Sequence, residues 1–161
     1  MKSLLKAVVG IALVAALGGI NRSQASTVYT DANLKGCYGF LSNSVGQLAP
    51  LNSSIVGTIC FDGKGHIVPK DPLSGEAQTG WTMNVGGIIM PVMTVAGTYA
   101  VTNSPGQGMG TFSFTSGGCG SYVFSFNEVK AGVAQGFQFV IVDGENCGTA
   151  PVQGGWARLQ P

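Results

Sequence analysis

The sequence contains few charged residues, and this scarcity excludes several classes of partner. Charged residues make up 9% of the chain, far below the roughly 25% usual in globular domains. After the N-terminal segment the basic residues stand singly, at Lys35, Lys64, Lys70, Lys130 and Arg158. Because affinity for a phosphate backbone depends on clustered Lys and Arg, we expect no nucleic-acid partner. The chain also has no polybasic patch that would bind a membrane surface.

Residues that carry out catalysis are equally scarce. The only histidine, His66, follows Asp62-Gly63, a dipeptide typical of hairpin turns, so we interpret it as a solvated turn residue. The chain has no Gly-x-Ser-x-Gly motif and no Cys-x-x-Cys pair. The glycines of residues 106–110 precede a predicted strand, whereas a phosphate loop precedes a helix. We therefore predict no catalytic residue, no metal site and no cofactor.

The N-terminus has the three parts of a secretory signal. Lys2 and Lys6 precede an apolar run over residues 7–17, and small residues occupy Ser23 and Ala25. The run is shorter than the roughly 20 residues that span a bilayer, so we expect no stable membrane anchor. We predict a signal-peptide helix over residues 1–25 and one mature domain over residues 26–161. The protein is then exported, to the periplasm or the extracellular space.

All four cysteines fall in the predicted mature domain, at Cys37, Cys60, Cys119 and Cys147. An even number in an exported chain predicts two disulfides, for which three connectivities exist. If strands over residues 36–45 and 54–61 form a hairpin, Cys37 and Cys60 lie opposite one another. The first bridge is therefore predicted between these two residues, on the outer face of the hairpin.

A second predicted hairpin joins residues 121–129 to residues 135–142 around Gly132. Cys119 and Cys147 lie just beyond its open end. The second bridge is therefore predicted between them.

Short runs rich in Val, Ile, Phe, Tyr and Thr alternate with glycine-rich turns, and no helical period interrupts them. Phe112 and Phe114 alternate with Thr111, Ser113 and Thr115, as in a sheet with one buried face. The fold class is predicted to be all-β, an antiparallel barrel of about eight strands, with a β-sandwich as the alternative. The predicted strands cover residues 36–45, 54–61, 66–68, 78–85, 88–102, 110–115, 121–129, 135–142 and 154–159.

The predicted interior is rich in aromatic residues. A barrel of this size either fills its lumen with side chains or holds one small ligand. Met83, Met90 and Met93 form a methionine cluster that suits a core or a cavity wall, and Cu(I) binding is the rival interpretation. The candidate ligand-binding residues of the interior are Trp81, Met83, Tyr99, Phe112, Phe114, Phe124, Phe126, Phe137 and Phe139.

Three segments resemble small calycin-like or allene-oxide-cyclase-like barrels found among exported bacterial proteins. They are Leu34-Lys35-Gly36-Cys37-Tyr38-Gly39-Phe40, then Gly57-Thr58 with Phe61-Asp62-Gly63-Lys64-Gly65, and Gly97-Thr98-Tyr99-Ala100-Val101. The resemblance implies a barrel fold and transfers no catalytic residue.

Three functions from different classes follow as hypotheses. The first is a non-enzymatic binding protein for a small apolar ligand or a protein partner. The second is a surface or fibre component assembled through strand edges, which low charge and high glycine content favour. The third is an isomerase-like or cyclase-like barrel enzyme, which rests on fold analogy.

Overall fold

A computed structural model describes residues 27–46, 53–76, 80–102, 106–118, 120–143 and 151–161. The predicted signal peptide over residues 1–25 and both cysteines of the second predicted bridge, Cys119 and Cys147, lie outside these residues. No helix within the described ranges has the length and apolar character needed to cross a membrane.

The described chain is built almost entirely of strands. A single turn of 3-10 helix, Asp31–Asn33, precedes the first strand. The strands are β1 Lys35–Gly46, β2 Ser53–Asp62, β3 His66–Val68, β4 Gly80–Val85, β5 Ile88–Met93, β6 Ala96–Val101, β7 Met109–Ser116, β8 Ser121–Lys130, β9 Val133–Asp143 and β10 Pro151–Leu159.

Eight of the strands close into an antiparallel barrel in the order β1-β10-β9-β8-β7-β6-β3-β2, and β2 pairs back to β1. This arrangement confirms the predicted all-β barrel, and the sandwich alternative is not the observed fold. The remaining two strands form a hairpin, β4–β5, which pairs with the first half of β2 through Ser53 to Thr58. β5 stands at the end of the strand order.

The predicted strand over residues 88–102 is two strands, β5 and β6. β5 pairs with β4, whereas β6 pairs with β7 and with β3. The register of β6 against β7 shifts between Ala96 and Gly97. A Cβ atom at Gly97 would overlap the carbonyl oxygen of Ser113, so the backbone passes close to β7 at this bend. The chain therefore changes its partner strand within a segment that the sequence alone shows as one continuous strand.

The first predicted disulfide is confirmed. Cys37 and Cys60 are direct partners across β1 and β2, and their sulfur atoms are bonded. Their neighbours Tyr38 and Ile59 form an inward-facing pair, so alternation places the bridge on the outer face. Both half-cystines are nevertheless buried. A disulfide of this kind fits a non-reducing compartment.

One end of the barrel is tied to the 3-10 helix. The Tyr99 hydroxyl donates to the carbonyl oxygens of Leu34 and Asp31 at 2.8 and 3.0 Å. The Asp31 carboxylate accepts the backbone N–H of Val101, and the Asn33 amide donates to the carbonyl oxygen of Gly132. The helix therefore bonds to β6 and to the β8–β9 turn. The β4–β5 hairpin lies away from the 3-10 helix, beside residues 53–58 of β2.

Candidate functional site

All nine predicted ligand-binding residues belong to one interior cluster. Trp81, Tyr99, Phe112, Phe124, Phe137 and Phe139 are buried in it, and Met83, Phe114 and Phe126 pack against it half-buried. The structure therefore brings the predicted residues together. Some of them form a central group, and the others lie toward the two ends of the barrel.

The central group consists of aromatic rings that contact one another. Phe112 stacks on Tyr122 with ring centroids 4.7 Å apart, and its ring lies 6.4 Å from Phe137 and 5.8 Å from Phe139. Phe124 lies 5.7 Å from Phe137. Spacings of 4.5–7 Å are those of favourable ring pairs. These side chains fill the middle of the interior and stabilise the barrel.

Two of the nine residues lie at the end that carries the 3-10 helix. Phe126 makes an edge contact with Tyr29. Tyr99 makes an edge contact with Phe61 and binds the helix through its hydroxyl. Burial raises the pKa of Tyr99 to about 12. The role of Tyr99 is therefore to hold the helix against the barrel.

Trp81 lies at the opposite end, on β4. Its ring makes edge contacts with Phe40 and Phe114 at 5.9 and 5.1 Å, and the residue is 8% exposed. Its partner on β2 is Gly57, where any side chain would overlap the main chain of Gly80 and Trp81. Among the residues that the structure describes, the buried indole Nε1 has no hydrogen-bond partner. An unpaired buried donor costs about 1–3 kcal/mol, so it requires an explanation.

An apolar strip continues from Trp81 along the β4–β5 hairpin. The direct pairs Met83 with Met90 and Val85 with Ile88 extend the same face toward the Gly86-Gly87 turn. Met83 is half-buried, Met90 is 40% exposed and Ile88 is 71% exposed. The strip therefore leads from the packed interior to solvent, and we call it the hairpin strip.

The surroundings of the hairpin strip carry no charge in the sequence. No Asp, Glu, Lys, Arg or His occurs between Glu76 and Glu128, a stretch that contains β4, β5, β6 and β7. Burial raises the pKa of Tyr122, which contacts Phe114, to about 12, so its hydroxyl stays neutral at physiological pH. A molecule bound at this end would meet apolar surface and neutral polar groups.

Three residues of this end were not among the predicted ligand-binding set. Ile55 faces the interior opposite Met83, Met90 pairs with Met83, and Ile88 lies at the tip. The methionine cluster in the sequence pointed to Met90. The contribution of Ile55 depends on the pairing of β2 with β4, which no sequence signal specifies.

His66 lies away from this end, at the start of β3 and beside the β2–β3 turn. Its Nδ1 lies 2.8 Å from Asp62 Oδ2, and its side chain is 63% exposed. Partial burial raises the pKa of Asp62, but hydrogen bonds from the backbone N–H groups of His66 and Lys64 and from the His66 ring outweigh it, and the pKa falls below 3.8. These contacts hold a surface turn.

A comparison with protein-family models, curated proteins and solved structures finds no match to this chain.

Proposed function

We propose that the protein is an exported, non-enzymatic binding protein that holds a small apolar molecule at the β4–β5 end of its barrel. The N-terminal signal and the Cys37–Cys60 disulfide support the exported compartment. The observation that carries the ligand proposal is the buried Trp81 Nε1, which has no partner among the described residues.

The chemistry of the ligand follows from what surrounds the indole. The N–H requires an acceptor, and the hairpin strip offers apolar area from Trp81 to Ile88. Unbranched methionine side chains adapt to irregular apolar shapes, as Met83 and Met90 would at a ligand surface. Because the stretch between Glu76 and Glu128 is uncharged, the ligand is neutral. It is an apolar molecule with one carbonyl, ether or hydroxyl oxygen.

The experiment starts with native mass spectrometry of the protein purified from its source, where a bound small molecule is expected. The purified protein is then titrated with Nile red, a neutral apolar dye that carries a carbonyl group. Trp81→Phe keeps an aromatic ring and removes the N–H, so the dye should bind about tenfold more weakly. Trp156→Phe makes the same chemical change at an exposed residue of β10 and should leave the affinity unchanged.

A second variant protects the test against a folding defect in Trp81→Phe. Met90→Lys places a charge on the exposed part of the hairpin strip and should weaken dye binding without loosening the core. Thermal unfolding of each variant shows that the barrel is intact. The proposal is overturned if the natural protein carries no small molecule and binds the dye without saturation. Equal affinity in the natural protein and both variants overturns it as well.

A further inference from the structure

The outer face of the barrel carries a row of apolar side chains that the interior does not use. Val56, Leu41 and Trp156 are direct neighbours across β2, β1 and β10, and Gln138 of β9 continues the row. All three apolar side chains are exposed, Trp156 to 52%. Single exposed apolar residues need no explanation, whereas adjacent ones form an apolar patch of the kind that binding surfaces contain.

The next row on the same face has a different character. It runs from Thr58 through Gly39 to Arg158 and then to Gly136 and Glu128. Gly39 and Gly136 carry no side chain, so nothing projects from the sheet where this row crosses β1 and β9. The side chain of Gln160 lies over Gly39, where an added Cβ atom would stand 3.0 Å from the amide nitrogen of Gln160. A groove of about 1170 Å³, lined in part by Gln160, lies beside Trp156.

The lining of this groove is mostly apolar and carries several polar side chains along it. The guanidinium of Arg158 and the amide of Gln160 lie on the Trp156 side, and Asn127, Glu128 and Lys130 lie across the groove. Glu128 and Lys130 are 3.1 Å apart and balance each other's charge. The groove therefore offers hydrogen-bond donors and acceptors with little net charge, next to an exposed indole.

These features together select the class of ligand. A lipid tail would leave the polar side chains of the groove without hydrogen-bond partners, which costs binding energy. A phosphate-rich ligand requires clustered basic residues, and Glu128 opposes it. The ligand has to cover the exposed indole and also provide partners for the polar side chains. A pyranose ring does both, because its C–H face packs on the electron-rich face of an aromatic ring while its hydroxyls form hydrogen bonds at the rim. We infer that this groove binds a carbohydrate, with Trp156 as the stacking platform.

The inference is independent of the proposed interior ligand, because the groove lies on the outside of β1, β2, β8, β9 and β10. Cellulose, chitin and peptidoglycan are offered in pull-down assays, and oligosaccharides of glucose and of N-acetylglucosamine are titrated by calorimetry. Saturable binding to at least one of them is expected. Trp156→Ala should weaken that binding at least about tenfold, and Trp156→Phe less, since the phenyl ring retains part of the platform.

Two control variants separate this site from other effects. Val142→Ala removes an equally exposed apolar side chain of β9 outside the groove and should leave binding unchanged. Trp81→Phe should also leave it unchanged, even though it weakens Nile red binding at the interior site. The inference fails if none of the saccharides binds, or if Trp156→Ala binds as the natural protein does. Cross-linking that captures a protein on this face, released by Trp156→Ala and not by sugar, assigns the groove to a protein partner instead.

Discussion

Gly57 lies directly opposite Trp81 in the antiparallel pair of β2 and β4, and the two backbones leave no room for a further side chain. A Cβ atom at Gly57 would stand 2.6 Å from the Trp81 Cα and closer still to the carbonyl oxygen of Gly80. Since the contacting atoms belong to the backbone, a substitution cannot be accommodated by rotating a flexible side chain. The position of the indole therefore depends on the absence of a side chain at residue 57.

Replacing Gly57 with alanine should lower the free energy of unfolding by about 1–3 kcal/mol, because the methyl group forces β2 and β4 apart. Urea denaturation followed by circular dichroism measures the loss. Gly154→Ala is the matched control, since its Cβ would lie 3.4 Å from the nearest atom, an ordinary contact. An equal loss in both variants would show that the close approach at Gly57 is not the cause.

Removing the Cys37–Cys60 bridge should destabilise the protein through its unfolded state. The bridge joins residues 23 positions apart, and a loop of this size corresponds to about 3 kcal/mol. The Cys37→Ala, Cys60→Ala double variant should therefore lose about 3 kcal/mol of unfolding free energy and unfold at a lower urea concentration. A variant that unfolds at the same concentration as the natural protein would contradict the prediction.

The second bridge, Cys119 to Cys147, is a prediction that peptide mapping without reduction can test. The β8–β9 hairpin turns at Ala131-Gly132 and pairs Ser121 with Asp143 at its open end. In sequence, Cys119 lies two residues before Ser121 and Cys147 lies four residues after Asp143. The expected map contains one peptide pair for each hairpin, and a Cys37–Cys147 pair would contradict it.

Alkaline pH should unfold the barrel because its buried tyrosines resist ionisation. Burial raises the pKa of Tyr99 and Tyr122 to about 12, and it raises the pKa of Tyr38 as well. A group whose pKa is raised in the folded state contributes stability below its unfolded value, here 10.0, and that stability is lost as the pH rises above it. The free energy of unfolding should therefore be constant near neutral pH and decline above pH 10.

Tyr99→Phe tests the same point with a single residue. It removes the hydrogen bonds to Leu34 and Asp31, so the free energy of unfolding at neutral pH should drop by about 1–2 kcal/mol. The decline above pH 10 should become shallower, because one titrating group is gone. Urea titrations at a series of pH values measure both effects, and an unchanged slope would contradict the assignment.

Pro91 lies within β5, which stands at the end of the strand order. Proline has no backbone N–H, and natural edge strands use it against pairing with another chain. Pro91→Val should therefore increase aggregation through β5, whose Ile88 and Ile89 are exposed. Light scattering at high protein concentration measures it. Pro72→Val, in an exposed turn, is the control and should not aggregate.

Local signals in the sequence were sufficient to predict the hairpins and the first bridge. Asp62-Gly63 marks the β2–β3 turn, and the alternation around Tyr38 and Ile59 places the Cys37–Cys60 pair on the outer face. The division between β5 and β6 was missed, because residues 88–102 contain no strong turn signal and the break follows from a change of partner strand. Such changes are set by tertiary contacts.

The candidate sites were only partly predictable for a related reason. Trp81 was identified as an interior residue, but whether its N–H finds a partner depends on groups that distant strands supply. The row of Val56, Leu41 and Trp156 likewise exists only because β1 pairs with both β2 and β10. The alternation of apolar and polar residues within one strand carries no information about the register between β1 and β10.

The pairing of β1 with β10 joins the first strand of the barrel to the last. Tyr38 pairs with Leu159 and Phe40 with Ala157, residues 121 and 117 positions apart in the chain. Such distant pairings form slowly, and until then both strands expose unpaired edges. On the export route proposed above, a chain synthesised from its N-terminus cannot close the barrel before its last strand has crossed the membrane. We therefore expect the translocating chain to need protection from association until that seam forms.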